Sequence, residues 1–522
     1  MRPANLVPAG AVLLALAAIA GAAQLARPAS PAPGRASAPR EVAVTSAVRA
    51  CPPIQGGGTG EVAFIAGSPA APAGGASGAA SGPGEAELTP LPLAGAQLRP
   101  LSPITQAHPG MLSMLTTPAA QSTSKKAATV PAGWSLTASG TMAQSLEAEE
   151  ASGAGVGSVR CGEPGSDLWF VGPGQQSGAA QVQLDLMNVD ALPASVDVSV
   201  ITDAGVVQSG DDTGITVPPH QTVTESLSAQ AAGSSAVAIQ VRTSIGRVVA
   251  NVSETSSHGG TASWLPGTAI PSTQLVIPGV PPSGRTAGLY IVVPGSSNAR
   301  VGVLAITAQG HYRPFGAQTV DLPGDSASYV PLTPLGGTAA ALELTANVPV
   351  TAAVLVPGSG LGVFAVATAP VSEQAVVAGN ASGSGLSAAI VLTAPAGSVR
   401  VRLTTTAEAS GSASGDSASG DSASGDSASG GGAAAGSPAT GSQVVFVAAG
   451  HTVTVPVAAP RGAKPGSAFA IVITPLSGSG PLYAARAETQ GQNTVVSIIP
   501  AISALTTISL PPVRDSYDAI SP

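Results

Sequence analysis

Few residues in this chain could do chemistry. Only two cysteines, Cys51 and Cys161, occur in 522 residues. Such a pair could be a disulfide, part of a metal site or a redox couple. A metal needs more ligands than two distant thiols offer, and a redox couple usually takes the form Cys-x-x-Cys. An even cysteine count in an exported chain reads as one structural disulfide. Closing a loop of about 110 residues stabilises by roughly 4–5 kcal/mol in the chain-entropy picture. The five histidines, His108, His220, His258, His311 and His451, are scattered with none at ligand spacing, and His220 and His451 stand beside Val-Pro landmarks as surface turns. Among the carboxylates, Glu147, Glu149 and Glu150 fall in a polar segment, Asp211-Asp212 in a glycine-flanked turn, and Glu163 with Asp167 beside Cys161. A glycosidase pair would lie about 5–9 Å apart in an aromatic-lined cleft, but aromatics are 3% of this chain. These carboxylates therefore read as solvated turn residues. Gly-x-Ser-x-Gly, Gly-x-x-x-x-Gly-Lys-Ser/Thr and His-Glu-x-x-His are all missing from the sequence, and each would have carried a defined chemistry. No catalytic residue, cofactor or metal is assigned, and the chain is not expected to be an enzyme.

The most distinctive segment runs from Cys161-Gly162-Glu163-Pro164 through Asp167-Leu168-Trp169-Phe170-Val171-Gly172. On a strand, Trp169 and Phe170 point to opposite faces. One can then anchor a core while the other covers a loop or meets a partner. Trp264-Leu265-Pro266 could plug a domain junction. These three aromatics, Trp169, Phe170 and Trp264, are the candidate interaction residues, and exposure of Trp169 or Phe170 would make it a binding hot spot.

The elements that must position them are strands. The chain has 65 glycines and 47 prolines, well above the usual combined share of about 12%, and turns are correspondingly frequent. Apolar residues are 44% and charged residues 9%, against about 25% charged in an average globular protein. With a net charge of −8 and no Lys/Arg stripe, nucleic acid is excluded as a partner. Short apolar runs such as Val182–Met187, Ala194–Thr202, Ala236–Val241 and Arg247–Val252 are rich in β-branched residues and bounded by Gly, Pro and Ser, as sandwich strands are.

These runs repeat. Leu184-Asp185-Leu186, Ala194-Ser195-Val196, Gly205 and Val217-Pro218 recur at one constant offset as Leu289-Tyr290-Ile291, Ala299-Arg300-Val301, Gly310 and Leu322-Pro323. A third copy runs from Ile390-Val391-Leu392 through Val399-Arg400-Val401 to Val455-Pro456 and Leu482-Tyr483-Ala484-Ala485. There the offset widens between Val399 and the Val-Pro landmark, which predicts an insertion. Ala407 to Gly441, with tandem Gly-Asp-Ser-Ala-Ser beginning at Gly415, Gly420 and Gly425, supplies it and has the length that the widening requires. This composition cannot bury enough surface to offset its ordering entropy. It reads as a flexible loop at the hairpin tip that Gly205 and Gly310 occupy in the other copies.

The N-terminus carries an export signal or a membrane anchor. Ala11 to Ala23 is apolar, Ala20-Gly21-Ala22 suits signal peptidase, and Leu6 to Ala26 is long enough to span. The resulting fold expectation is all-β. Tandem immunoglobulin-like β-sandwich domains in three repeats follow the signal or anchor helix, with disordered Gly/Ser/Ala/Pro inserts. Boundaries fall at 1–26 (signal or anchor), 27–40 (linker), 41–265 (first sandwich with an N-terminal elaboration, low complexity at 67–86), 266–370, 371–510 (insert at 407–441) and 511–522 (tail).

The Cys-Gly-x-Pro-x-x-Asp-x-Trp-Phe-x-Gly segment resembles a family of actinobacterial exported proteins known as a domain of unknown function. So do Leu184-Asp185-Leu186-Met187-Asn188, Gly246-Arg247-Val248-Val249-Ala250, Trp264-Leu265-Pro266 and Ile277-Pro278-Gly279-Val280-Pro281. The resemblance covers about residues 43–500, and Val189 stands where a proline often follows the asparagine. It implies an N-terminal membrane segment and an extracytoplasmic all-β body, and it supplies no activity, cofactor or catalytic residue. The functional expectation is a non-enzymatic cell-envelope protein of scaffold or partner-binding type. It would be a rod of sandwiches anchored at the membrane or secreted, with an envelope protein or cell-wall glycan as partner. A polysaccharide-binding module is the alternative, needing an exposed row of Trp169, Tyr290 and Tyr312. A hydrolase using Glu163 and Asp167 comes third.

Overall fold

The structure is a computed structural model of the chain. It describes residues 40–53, 60–67, 84–95, 104–106, 110–117, 131–152, 158–177, 179–207, 209–210, 212–256, 262–282, 286–357, 362–380, 385–407, 440–463, 467–478, 480–491 and 494–510. The signal or anchor segment, nearly all of the linker and the tail lie outside the described residues, as do most of the two low-complexity stretches. The chain falls into two compact units. Residues 1–42 with 508–522 form one, whose described part belongs to the two-stranded sheet of Arg40–Ala43 and Thr507–Leu510. Ala43–Thr507 forms the other. The protein is all-β. Among the described residues there is no α-helix, only the 3-10 turns Gly140–Ala143 and Gln175–Ser177.

Within the larger unit, sheets face each other in pairs across apolar cores. The first pair sets the sheet Ser46–Cys51, Trp134–Ser139, Ala86–Pro90, Ile104–Gln106 against Met111–Thr117, Gly60–Ala66, Glu147–Ser152, Ser158–Arg160. Phe64, Leu88, Leu136 and the two cysteines are buried between them. The strands expected as an elaboration of the first repeat thus hydrogen-bond among themselves around their own core. The second pair joins Asp167–Pro173, Ala236–Ile245, Ala194–Thr202 and Gly205–Val207 in one sheet, and Gln221–Ser226, Ala179–Asn188, Val249–Ser256 and Ala262–Leu265 in the other. Alternation does the sorting here: Val196, Val198 and Val200 are buried in the core, while Ser195, Asp197 and Ser199 are half-buried on the other face.

In the third pair one 17-residue strand, Ala340–Val356, serves both sheets. Its first half pairs with Ala299–Thr307 and its second half with Ala287–Val293. In the second pair the corresponding path is broken at Gly246, which has φ +72°, a conformation that costs glycine little. The fourth pair joins Ala375–Asn380, Phe469–Gly478, Val399–Ala407 and Thr440–Val447, and faces His451–Val457, Leu386–Ala394, Tyr483–Gln490 and Thr494–Pro500.

The repeat is visible in turn chemistry. Gly205 and Gly310 have φ +112° and +113°. In each turn a threonine hydroxyl (Thr202, Thr307) donates to the glycine carbonyl and accepts from the backbone N–H two positions on. Just before the next full strand of each copy, His220, Asp325 and Gly450 all take positive φ. The third copy needs one correction. Ala194 faces Val217 and Ala299 faces Leu322 across equal lengths of chain, whereas Val399 faces Val447 across a longer one. The counterpart of Val217 is therefore Val447, and the insertion is shorter than the Val-Pro spacing predicts. Val455-Pro456 lies inside the following strand, opposite Ile390 and Ala389; a Val-Pro dipeptide is too short a word to identify a position in a proline-rich chain.

The pairs do not string out as a rod. Tyr290, Val292 and Ala327 of the third pair share a cluster with Trp169 and Val171 of the second. Ala485 and Ile498 of the fourth enter the third pair's core, and Thr452 donates to the Ile306 carbonyl at 2.8 Å. Val376, Ala378, Ala470 and Val472 of the fourth pack on Ala63, Ile65 and Leu112 of the first. Met187, Val189 and Val249 of the second close on Ala50 and Leu91 of the first. The contacts make a closed circuit: first, second, third, fourth, first.

Candidate binding site

The segment after Cys161 reaches the middle of this circuit because Cys51 and Cys161 are joined, with the Ala50 and Gly162 backbones bonded to each other at 2.8–2.9 Å. On Asp167–Pro173, Phe170 faces Ile239 and Trp169 faces Gln240. Ile239 belongs to the core of the second pair, so Phe170 packs inward and Trp169 lies on the opposite face, where the Thr268 N–H donates to its carbonyl at 2.8 Å. Both rings are only 3% exposed. Trp264 faces Ser253 and is half-buried, and Leu265 opposite Val252 is buried. The exposure that would have made Trp169 or Phe170 a surface hot spot is therefore not seen.

All three aromatics line one cleft of about 390 Å³, within the range of about 300–1,000 Å³ usual for small-molecule sites. Its walls come from every sheet pair: Arg160 and Glu163 from the first, Leu168 and Val249 from the second, Ile270 and Thr368 from the third, Ile499 from the fourth. Trp169 Nε1, Asn251 Nδ2, Thr368 Oγ1 and Arg160 Nε in this wall are buried without a hydrogen-bond partner among the described residues. A buried group in that state costs about 1–3 kcal/mol.

A charge cluster borders the cleft. Arg160 Nη2 donates to Glu147 Oε2 at 2.6 Å and lies 3.4 Å from Glu163 Oε1, and Arg49 Nη2 lies 2.8 Å from Glu163 Oε1. Burial pushes the Glu163 carboxyl up, but Arg49 and Arg160 outweigh it and hold the group below the usual range. A second cluster ties the first pair to the fourth. Arg486 Nη2 contacts Glu149 Oε1 at 2.6 Å, Ser158 Oγ at 2.6 Å and Ser497 Oγ at 3.0 Å, while Nη1 meets Glu488 and the Gly379 carbonyl.

These clusters correct the reading of Glu147, Glu149 and Glu150 as solvated turn residues. All three lie on the strand Glu147–Ser152 and are at most 3% exposed. Glu147 and Glu149 are held there by arginines, and burial lifts Glu150 well above the ordinary carboxylate range. The sequence signal was the coincidence of rare arginines with rare glutamates, but Arg486 stands far from Glu149 along the chain. Asp212 is likewise buried, with Gln230 donating to it. Asp211, His108 and His258 lie outside the described residues. His220 and His311 are exposed, and among the described residues no three His, Cys, Asp or Glu side chains gather as a metal site.

One more surface stands out. The first pair covers only part of the outer face of the fourth pair's sheet. Arg400 faces Phe446 and Arg402 faces Val444 on the part left open. Phe446 is 61% and Val444 50% exposed, with Leu476 exposed nearby. Neither arginine has an ion-pair partner among the described residues, whereas Arg300, the counterpart of Arg400, has Asp321 within 3.9 Å. The aromatic row needed for stacking sugars does not form: Trp169 and Tyr290 are buried between the second and third pairs, and only Tyr312 is exposed.

Residues 116–419, more than half of the chain, match a family of unknown function (DUF5719), and the chain belongs to that family. No curated protein and no solved structure matches it.

Proposed function

We propose that this chain is a non-enzymatic cell-envelope protein of actinobacterial type, exported by its N-terminal signal or anchor. In this reading its sandwiches are tandem immunoglobulin-like domains and it works as a scaffold that holds a protein partner. The observation that carries the reading is the open face of Arg400, Arg402, Val444 and Phe446. Arginine and aromatic residues are the types enriched at the energetic centre of interfaces. In a chain with 20 basic residues, two guanidiniums with no ion-pair partner among the described residues, flanking apolar groups, favour a partner with acidic and apolar groups interleaved. The internal clusters point the same way, because Glu147, Glu149 and Glu163 are engaged with arginines that join strands and sheet pairs.

The test is cross-linking on intact cells, with the tagged protein recovered and its partners identified by mass spectrometry. A dominant protein partner lost in Arg400→Glu/Phe446→Ser supports the reading. Recovery of cell-wall glycan alone, or an unchanged partner set in that variant, sinks it. The intact mass of the same sample shows whether residues 1–26 are retained.

A further inference from the structure

The central cleft has walls and a rim of different chemistry. Much of the wall is apolar, with Leu168, Val249, Trp264, Ile270 and Ile499 offering a surface that suits a hydrocarbon chain, and the unpartnered Trp169 Nε1, Asn251 Nδ2 and Thr368 Oγ1 are polar points within it. At the rim, Arg49, Arg160, Glu147 and Glu163 balance in charge, but they are not held equally. The side chains of Arg49, Arg160 and Glu147 are 8%, 12% and 2% exposed, whereas that of Glu163 is 50% exposed. Glu163 is the one member already half in water, so it is the one that can swing out and yield its place to another anion. When it does, two buried guanidiniums face a single carboxylate, and Arg160 Nε still lacks a partner among the described residues. One anion restores the balance. Asp167, also on the rim, is occupied by Gln240, whose Nε2 donates to it at 2.8 Å.

We propose that this cleft binds an anionic amphiphile through one hydrocarbon chain. Its hydrocarbon chain lies among the apolar walls, and its anionic head replaces the Glu163 carboxylate on Arg160 and Arg49. Glu163 is then a built-in competitor for the head group. The site is separate from the open arginine-phenylalanine face, so it stands or falls independently of the partner-binding reading. A free fatty acid and an anionic membrane lipid share the required chemistry.

The chain reports on its own cleft, because two of its three tryptophans, Trp169 and Trp264, line it. The experiment titrates the full chain with parinaric acid, a fluorescent fatty acid, and follows energy transfer from tryptophan. The methyl ester of the same acid and phosphatidylglycerol vesicles are run in parallel. Saturable binding of the acid is expected, with the uncharged ester weaker. Glu163→Gln, checked for folding by circular dichroism because it removes a partner of two largely buried arginines, tightens binding of the acid severalfold. Arg160→Gln, checked for folding by circular dichroism, weakens it. Binding of free acid alone identifies the source as fatty acid, and a vesicle response that Glu163→Gln strengthens identifies membrane lipid. Absence of saturable binding, or equal binding of acid and ester with no change in Glu163→Gln, overturns the proposal.

Discussion

The third sheet pair buries aliphatic side chains such as Leu289, Ile291, Leu342 and Val354, and none of its described charged residues is buried. The first pair seals a disulfide, three glutamates and Arg49, beside a much smaller apolar cluster. A small core cannot offset chain entropy alone and needs covalent or ionic reinforcement. The strands of the first pair are also separated by low-complexity sequence, at residues 54–59 and 68–83 among others, so they meet only after long stretches of chain have closed. Cross-linking its ends suits that task. A third pair held by aliphatic packing therefore shares the circuit with a first pair reinforced by a disulfide and ion pairs.

The largest test of this contrast is the double substitution Cys51→Ser/Cys161→Ser. It should destabilise the first pair by up to roughly 4–5 kcal/mol, and calorimetry should show a separate, earlier transition while the third pair melts as before. A single unshifted transition would mean that the disulfide adds nothing to the contrast. Next, Arg486→Met should cost about 3–5 kcal/mol in urea unfolding, because it leaves Glu149 buried and uncompensated. Adding Glu149→Gln should recover much of that loss, and a strictly additive double-mutant cycle would count against a coupled pair. Leu342→Ala should cost about 2–5 kcal/mol in the third pair's transition, leaving the first pair's amide exchange unchanged.

A pH-dependent effect, absent at low pH, belongs to Glu254. This carboxyl is wholly buried beside Gly172 and Leu265, with neither oxygen partnered among the described residues, and burial raises it from 4.5 to about 8. The folded state holds this proton more tightly than the unfolded state. Its contribution is complete below about pH 4.5 and is lost as pH rises through 8. Glu254→Gln should match the parent at pH 4 and become progressively more stable than it towards pH 8. Parallel stability–pH curves would rule this out.

Much of the repeated architecture was legible in local spacing. Leu184, Leu289 and Ile390 are all fully buried at equivalent register positions, and strands with period-two burial announce themselves. The disulfide followed from having only two cysteines. The remainder depends on partners remote in sequence. Glu147–Glu150 looks like a solvated run until Arg49, Arg160 and Arg486 are brought to it, and no local pattern encodes that approach. The cleft was half legible: its aromatics stood out by rarity, but the burial of Trp169 follows from the third pair docking on the outer face of the second.

The closed circuit also sets a timetable for synthesis. Ala63, Ile65 and Leu112 emerge early, yet the surface that covers them, Val376, Ala378, Ala470 and Val472, lies far downstream. At about 5–20 residues per second, the apolar face of the first pair stays uncovered for roughly 15–80 s on each new chain. For that interval the nascent protein presents a sticky strand face to its neighbours.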